Sequence, residues 1–300
     1  MITIIICTYN REQYIYECLS RLADNTAQEG WEIILVNNNS TDNTAIECER
    51  FVSDYHPTNY HYFMESQQGL SFARNRGITE AHGEWLVFLD DDAMVGKDYI
   101  ANLQAHLSAH PETGAFGGMI EPFFEGGEPK WYSKWSMGFV SAIDLGNEVH
   151  VFPGNKYPIG ANMGIKREVL KNVGTFNTEL GRTGNNLLAG EEKDLFNRIR
   201  NAGYPILYFP NIAVKHCIPG RRATPEFIAR LGFGVGMSER MRTRQMGYVA
   251  FVKRLFSECI KWAGTIVLYC YYAIQGLRAK GEILVLFRKN VTKGLLNLSA

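Results

Sequence analysis

Short motifs of the common nucleotide-binding folds are missing from this 300-residue chain. No G-x-G-x-x-G turn follows the first apolar run, and no Walker-type G-x-x-x-x-G-K occurs. Dehydrogenase and P-loop readings are demoted accordingly. Gly232-Phe-Gly234-Val-Gly236 follows no strand pattern, and no H-E-x-x-H is present. Cysteine is sparse: the six, at 7, 18, 48, 217, 259 and 270, include no C-x-x-C pair. That excludes a disulfide framework and argues against thiolate metal binding, leaving buried or incidental thiols in a reducing compartment. Nor is there a long apolar run. The most apolar stretch of the last third, residues 262–274, has 13 residues, whereas crossing a bilayer takes about 20. No basic segment or small-residue cleavage site precedes the apolar residues 2–6, so the expectation is a cytoplasmic chain without a signal peptide.

Net charge is also absent, with 31 basic and 31 acidic residues, but the balance is uneven. Residues 221–300 hold 14 Lys/Arg and 4 Asp/Glu, a net of +10, which leaves 17 against 27, a net of −10, for residues 1–220. An acidic body with a basic tail points to an anionic surface as partner. Lys253, Arg254, Lys261, Arg278 and Lys280 flank or adjoin the 262–274 stretch, which contains Trp262, Tyr269, Tyr271 and Tyr272. This pattern suits a helix lying peripherally in lipid headgroups at the cytoplasmic membrane face, and nucleic acid is not expected. A helix packed on the main body with a solvated basic face has the same periodicity.

What is present is regular alternation. Apolar runs at 2–6, 32–36, 61–64 and 85–89 read as strands, with helices at 11–24, 41–54 and 70–80 between them. Buried strands alternating with helices predict an α/β fold, a Rossmann-like, mostly parallel sheet with helices on both faces. Residues 93–220 are less regular, with strands at 115–121, 157–165, 206–209 and 213–216 and a helix at 191–202. The domain reading is therefore 1–220, split into 1–92 and 93–220, followed by a basic helical region at 221–300. In a parallel sheet ligands sit beyond the carboxyl ends of the strands, which selects residues 8–11, 37–42 and 90–92.

Asp90-Asp91-Asp92 ends an apolar strand. Clustered carboxylates repel unless a cation compensates them, and Mg²⁺ or Mn²⁺ bridging a diphosphate is the natural compensator. Helix-dipole compensation is the alternative. A second acidic cluster, Glu191-Glu192-Lys193-Asp194, suits either a helix N-terminus or a general base. Arg74 suits a phosphate or an internal ion pair, and His216 ends an apolar strand as a structural residue or a metal ligand.

In order along the chain, I-I-I-C-T-Y-N-R (from Ile4), E-I-I-L-V-N-N-N-S-T-D (from Glu32), G-L-S-F-A-R-N-R-G (from Gly69), F-L-D-D-D (from Phe88), G-A-N-M-G (from Gly160) and G-E-E-K-D-L (from Gly190) resemble the family-2 glycosyltransferases of the GT-A fold. The match runs from Ile4 to His216, about two-thirds of the chain. The resemblance implies an inverting, metal-dependent, hexosyltransferase-like enzyme. Such an enzyme moves a sugar from a nucleotide-diphosphate donor to a saccharide or lipid-linked acceptor, in cell-surface polysaccharide or glycolipid synthesis. It places Thr8, Tyr9, Asn10 and Arg11 in the nucleotide-sugar pocket, with Asn37, Asn39 and Arg74. Asp90 and Asp91 also belong to that pocket. Asp92 becomes the principal metal ligand, with Asp90 and His216. Gly160, Ala161 and Asn162, with Trp131 from the aromatic loop, border sugar and acceptor. Glu192 stands at the position of the base, supported by Glu191.

Two positions depart from the family pattern. Asn37 replaces an Asp that contacts the base, and Glu192 replaces an Asp. Nucleotidyl transfer on a related fold and a non-catalytic nucleotide-sugar-binding subunit are the competing readings. The first requires a Gly-rich, Lys-containing loop where Thr8-Tyr9-Asn10-Arg11 stands.

Overall fold

Ile4, Ile5 and Ile6 are all buried, as a strand with cover on both faces requires. The computed structural model describes residues 1–27, 29–181 and 190–298. The first ninety residues run β1 (Ile2–Thr8), α1 (Ile15–Ala23), β2 (Trp31–Asn37), α2 (Thr44–Tyr55), β3 (Tyr60–Met64), α3 (Leu70–Glu80) and β4 (Trp85–Asp90). Then come β5 (Ala93–Val95), α4 (Tyr99–Ala109), β6 (Ala115–Phe124), β7 (His150–Val151), β8 (Met163–Lys166), α5 (Arg167–Val173), α6 (Glu191–Asn201) and β9 (Ile206–Ile218). Among the described residues, nine strands form one sheet in the order β3-β2-β1-β4-β8-β6-β9-β5, with β7 beside β9.

The sheet is mixed. β3, β2, β1 and β4 pair in parallel, while β4–β8, β8–β6, β9–β5 and β9–β7 pair antiparallel. Alternation along each central strand divides the core. Ile4 and Ile6, Ile33 and Leu35, Val87 and Leu89 enter a cluster with α1, α2 and α4. Ile5, Ile34 and Phe88 enter another, with α3, α5 and α6. A period of two with both faces apolar is the physical content of the continuous runs in the sequence.

α3 lies tight on β1 because residue 77 is glycine: a Cβ there would overlap Ile5 Cγ2. Gly77→Ala is expected to lower unfolding free energy by about 1–3 kcal/mol, the usual cost of overpacking. Urea denaturation checks it, a midpoint at the parental value being the contrary result.

Two sequence expectations are corrected. Residues 157–165 are not one strand: Gly160–Asn162 form a 3-10 turn and β8 starts at Met163. Asn162 N–H closes that turn on the Ile159 carbonyl at 2.9 Å, and its side chain is anchored elsewhere, as described below. The two strands at 206–209 and 213–216 are one, β9, whose early part pairs with β7 and late part with β5. β5 itself is a three-residue strand, too short to leave a periodic signal.

Residues 1–121, 142–181 and 190–217 form one compact unit, and 122–141 with 218–298 form another. The aromatic segment 122–141 thus groups with the tail, where Phe139 stacks on Phe287 at 4.2 Å between ring centroids. This second unit holds α7 (Pro225–Gln245), α8 (Tyr248–Ile274) and α9 (Arg278–Leu296). Gly232 and Gly236 of the G-x-G-x-G segment face the α9 backbone, where a Cβ would strike the Phe287 and Val291 carbonyls. They are packing glycines. Glu258 of α8, 4% exposed, pairs with Arg254 at 2.7 Å and with Arg288 of α9 at 3.1 Å, and Arg254 pairs with Glu239 of α7 at 3.1 Å. Among the described residues no helix is long and apolar enough to cross a membrane.

Candidate active site

Parallel register brings three strand ends together: Thr8 lies opposite Asn37 on β2, and Cys7 opposite Asp90 on β4. The loops beyond β1 and β2 are laced to each other. Asn10 N–H donates to Ser40 Oγ at 3.0 Å, and Thr41 N–H donates to Asn10 Oδ1 at 2.8 Å. Arg11 N–H donates to Thr44 Oγ1 at 2.8 Å, and Glu12 N–H to Asp42 Oδ2 at 3.2 Å. Asn10 and Asn39 have φ of 53° and 64°, a left-handed conformation that asparagine tolerates best among residues with a side chain. Both amide ends of Asn37 are engaged. Its Oδ1 accepts from Ser40 N–H at 2.9 Å, and its Nδ2 donates to the Tyr62 hydroxyl at 2.9 Å. Tyr62 was not singled out from the sequence, whereas Asp42 lies within the selected 37–42. The S-T-D-N-T spacing carries a turn signal for Asp42; Tyr62, in the middle of β3, has no motif signal.

The three acids of 90–92 have three environments. Asp90 is half-buried, while Asp91 and Asp92 are buried. Arg11 reaches across from the β1 loop, with Nε 3.3 Å from Asp91 Oδ1 and Nη2 3.5 Å from Asp92 Oδ2. Burial pushes the Asp91 carboxyl up to about 7; Arg11 opposes the rise and the Asp92 charge adds to it. β5 pairs Ala93 with His216 of β9, and this sets His216 Nε2 3.0 Å from Asp92 Oδ1. Ligand atoms of Asp90, Asp92 and His216 all lie within 4.8 Å of one another. Two carboxylate oxygens and one imidazole nitrogen are a donor set that fits a divalent ion of the Mn²⁺ type.

The other acidic cluster opens α6. Glu191 is 4% exposed, whereas the Glu192 side chain keeps 18% of its surface. Arg74, from α3, donates through Nη1 to Glu191 Oε1 at 3.2 Å and through Nη2 to Glu192 Oε1 at 2.9 Å. Gly160 N–H donates to the same Glu192 oxygen at 2.9 Å. Burial pushes the Glu192 carboxyl up to about 7; Arg74 lowers it, and the charges of Glu191 and Asp90 raise it. Acids separated by a hundred residues in the chain therefore share one electrostatic neighbourhood.

The remaining expected positions differ in exposure and in partners. Thr8 is buried at the β1 end, and Tyr9 is exposed. Asn162 is fully buried: its Nδ2 donates to the Met119 and Ile212 carbonyls, and its Oδ1 accepts from the Tyr99 hydroxyl at 2.7 Å. It ties β6, β9 and α4 together. Ala161, beside it, is buried as well. Trp131 belongs to the second unit, 7% exposed, with its indole N–H donating to the Ala223 carbonyl at 2.8 Å.

Residues 3–174 match the family described as Glycosyl transferase family 2. A glucosyl-dolichyl phosphate glucuronosyltransferase of Haloferax volcanii is 24% identical over 248 residues, covering 80% of this chain and 76% of its own length. The minor teichoic acid biosynthesis protein GgaB of Bacillus subtilis is 28% identical over 200 residues, or 66% of this chain but 21% of that protein. Among solved structures, mannosyltransferase PcManGT from Pyrobaculum calidifontis, in complex with GDP-Man and Mn²⁺, aligns with a TM-score of 0.64 at 18% identity, over 99% of this chain and 88% of its own. That likeness is one of fold, and it agrees with the GT-A arrangement of sheet and strand-end acids. On the match over more than half its length, the chain belongs to glycosyl transferase family 2.

Proposed function

We propose that this protein transfers a sugar from a nucleoside-diphospho-sugar to a saccharide or lipid-linked acceptor with inversion, and that a divalent cation assists. The observation that carries the reading is the pairing of two unlike acidic sites in one unit. One is a carboxylate–imidazole set, Asp90, Asp92 and His216. The other is a single partly exposed carboxylate, Glu192. Asp90, Asp92 and His216 would hold a divalent ion, which would supply Lewis-acid compensation for the charge of the departing diphosphate. Arg11, already against Asp91 and Asp92, adds fixed positive charge beside that position. Glu192 takes the proton of the acceptor hydroxyl as that oxygen bonds to the anomeric carbon and the carbon–phosphate-oxygen bond breaks. The related proteins named above, in glycolipid and teichoic acid synthesis, support a cell-envelope or glycolipid acceptor.

The direct test follows nucleoside diphosphate release from UDP-, GDP- and dTDP-sugars with Mn²⁺ and a panel of saccharide and polyprenyl-phosphate acceptors. Pyrophosphate as the product, or binding of none of the three donors, sinks the reading.

A membrane surface is the second partner proposed, in its peripheral form. Along one face of α8, Val249, Val252, Phe256, Ile260, Val267 and Ile274 are each 43–88% exposed. Their spacing of three, four and seven residues keeps them in a single stripe. Of the four acids after residue 220, Glu239 and Glu258 are spent on internal arginine pairs, so the charge left outside is strongly basic. An apolar stripe with basic surroundings complements an anionic bilayer. The protein is expected to sediment with phosphatidylglycerol vesicles and not with phosphatidylcholine vesicles at low salt. Phe256→Glu combined with Ile260→Glu is expected to abolish this, and retention by the double variant counts against α8 as the contact.

A further inference from the structure

The guanidinium of Arg74 is placed to serve Glu192 and not the donor. Its side chain is 3% exposed. It is closed in by Glu191, Glu192, the ring of Phe176 at 5.1 Å from its Cζ, and the backbone of Gly160. Its two terminal nitrogens fork onto the two glutamates. A Cβ on residue 160 would collide with Arg74 Nη2 and sit 2.5 Å from Glu192 Oε1, so only glycine leaves room for the guanidinium and offers its N–H to the same oxygen. Two donors converging on Oε1 prevent the carboxylate from turning without losing both bonds. A buried cation shared by two carboxylates also favours their ionised forms.

We infer that Arg74, together with the Gly160 N–H, is a positioning residue that fixes the Glu192 carboxylate and keeps it ionised for proton abstraction, and that it is not a ligand of the donor phosphates. This rests on the reading of Glu192 as the base. The ionisable groups facing Glu192 are Arg74 from α3, Glu191 on its own helix and Asp90 from β4. Of these Arg74 alone holds the base in its charged form, and the other two oppose it.

Arg74→Met and Arg74→Lys are compared with the parent in kcat/KM from about pH 5.5 to 9.5, across the range in which the base titrates. Binding of the nucleoside diphosphate with Mn²⁺ is measured by calorimetry alongside. In Arg74→Met the acid limb is expected to move up by about one pH unit or more as the opposite charge is lost, with kcat at pH 7 down about 100-fold and diphosphate affinity unchanged. Arg74→Lys, which keeps the charge without the fork, is expected to recover most of the limb shift and only part of kcat. A limb that stays in place while diphosphate affinity falls by about tenfold or more, the signature of a lost phosphate contact, overturns the inference.

Should Arg74→Met fail to fold, Gly160→Ala displaces the same guanidinium from the opposite side, and the same limb shift with parental diphosphate binding is expected. Failure of the underlying reading looks different. Turnover retained in Glu192→Gln removes the base itself, whereas an inactive Glu192→Gln with an unmoved limb in Arg74→Met removes only the role of Arg74.

Discussion

Glu192→Gln is expected to reduce kcat for sugar transfer by about 1,000-fold, within the range for loss of a general base, while nucleoside diphosphate and Mn²⁺ bind as in the parent. The amide occupies the same volume, and its oxygen can still accept from Arg74 Nη2 and the Gly160 N–H. What it lacks is the basic oxygen. The parent carries a matching pH dependence. Glu192 titrates near 7 because burial disfavours its charge. The active form is the ionised one, so kcat/KM is expected to fall with a slope of one as pH drops below about 7, and to level off above it. Calorimetry of the donor product alongside the rate assay separates loss of the base from loss of the site. Turnover in the Gln variant within a few-fold of the parent rules out this residue as the base.

Asp92→Ala is expected to act on the other half of the reaction. Asp92 is buried to 1% exposure, in contact with His216 at 3.0 Å and Arg11 at 3.5 Å. Its removal takes away the carboxylate common to the cation set and to the arginine pair. Apparent Mn²⁺ affinity is expected to fall by at least ~100-fold, since loss of a mere outer-shell partner already costs 10–100-fold. The gain in diphosphate binding that Mn²⁺ gives the parent is expected to vanish. The readout is diphosphate calorimetry with and without Mn²⁺. Metal-dependent binding at parental strength in Asp92→Ala removes Asp92 from the cation set. Because this variant loses binding and Glu192→Gln keeps it, the two together distinguish a leaving-group site from an acceptor-activating site.

Legibility in the sequence followed the length scale of the interactions. The parallel half was readable because buried strands with two apolar faces leave unbroken runs, as at residues 2–6 and 85–89. The acids at 90–92 and 191–192 were readable because adjacent like charges are costly without a partner. The 3-10 turn at 160–162 was not. Its cause is a set of bonds from Asn162 to residues 43, 50 and 63 positions away, which no local pattern encodes. The glycines at 232 and 236 looked like a nucleotide turn with no strand before it. They make sense only when the α9 backbone is laid against them.

By itself, then, the amino-acid order determined the class of fold, the family and the positions of the two acidic clusters, since hydrophobic period and charge crowding are properties of neighbouring residues. Tertiary structure alone decided how these pieces are used. A three-residue strand, β5, carries Asp92 to His216. Packing of α3 against the start of α6 sets the Arg74 guanidinium on two glutamates, the ion-pair reading that the sequence left open beside the phosphate one. Folding buries the Asn162 side chain among β6, β9 and α4, to which its amide is bonded. Each of these outcomes depends on which side chains are excluded from water together, and that is settled by contacts between residues remote in the chain.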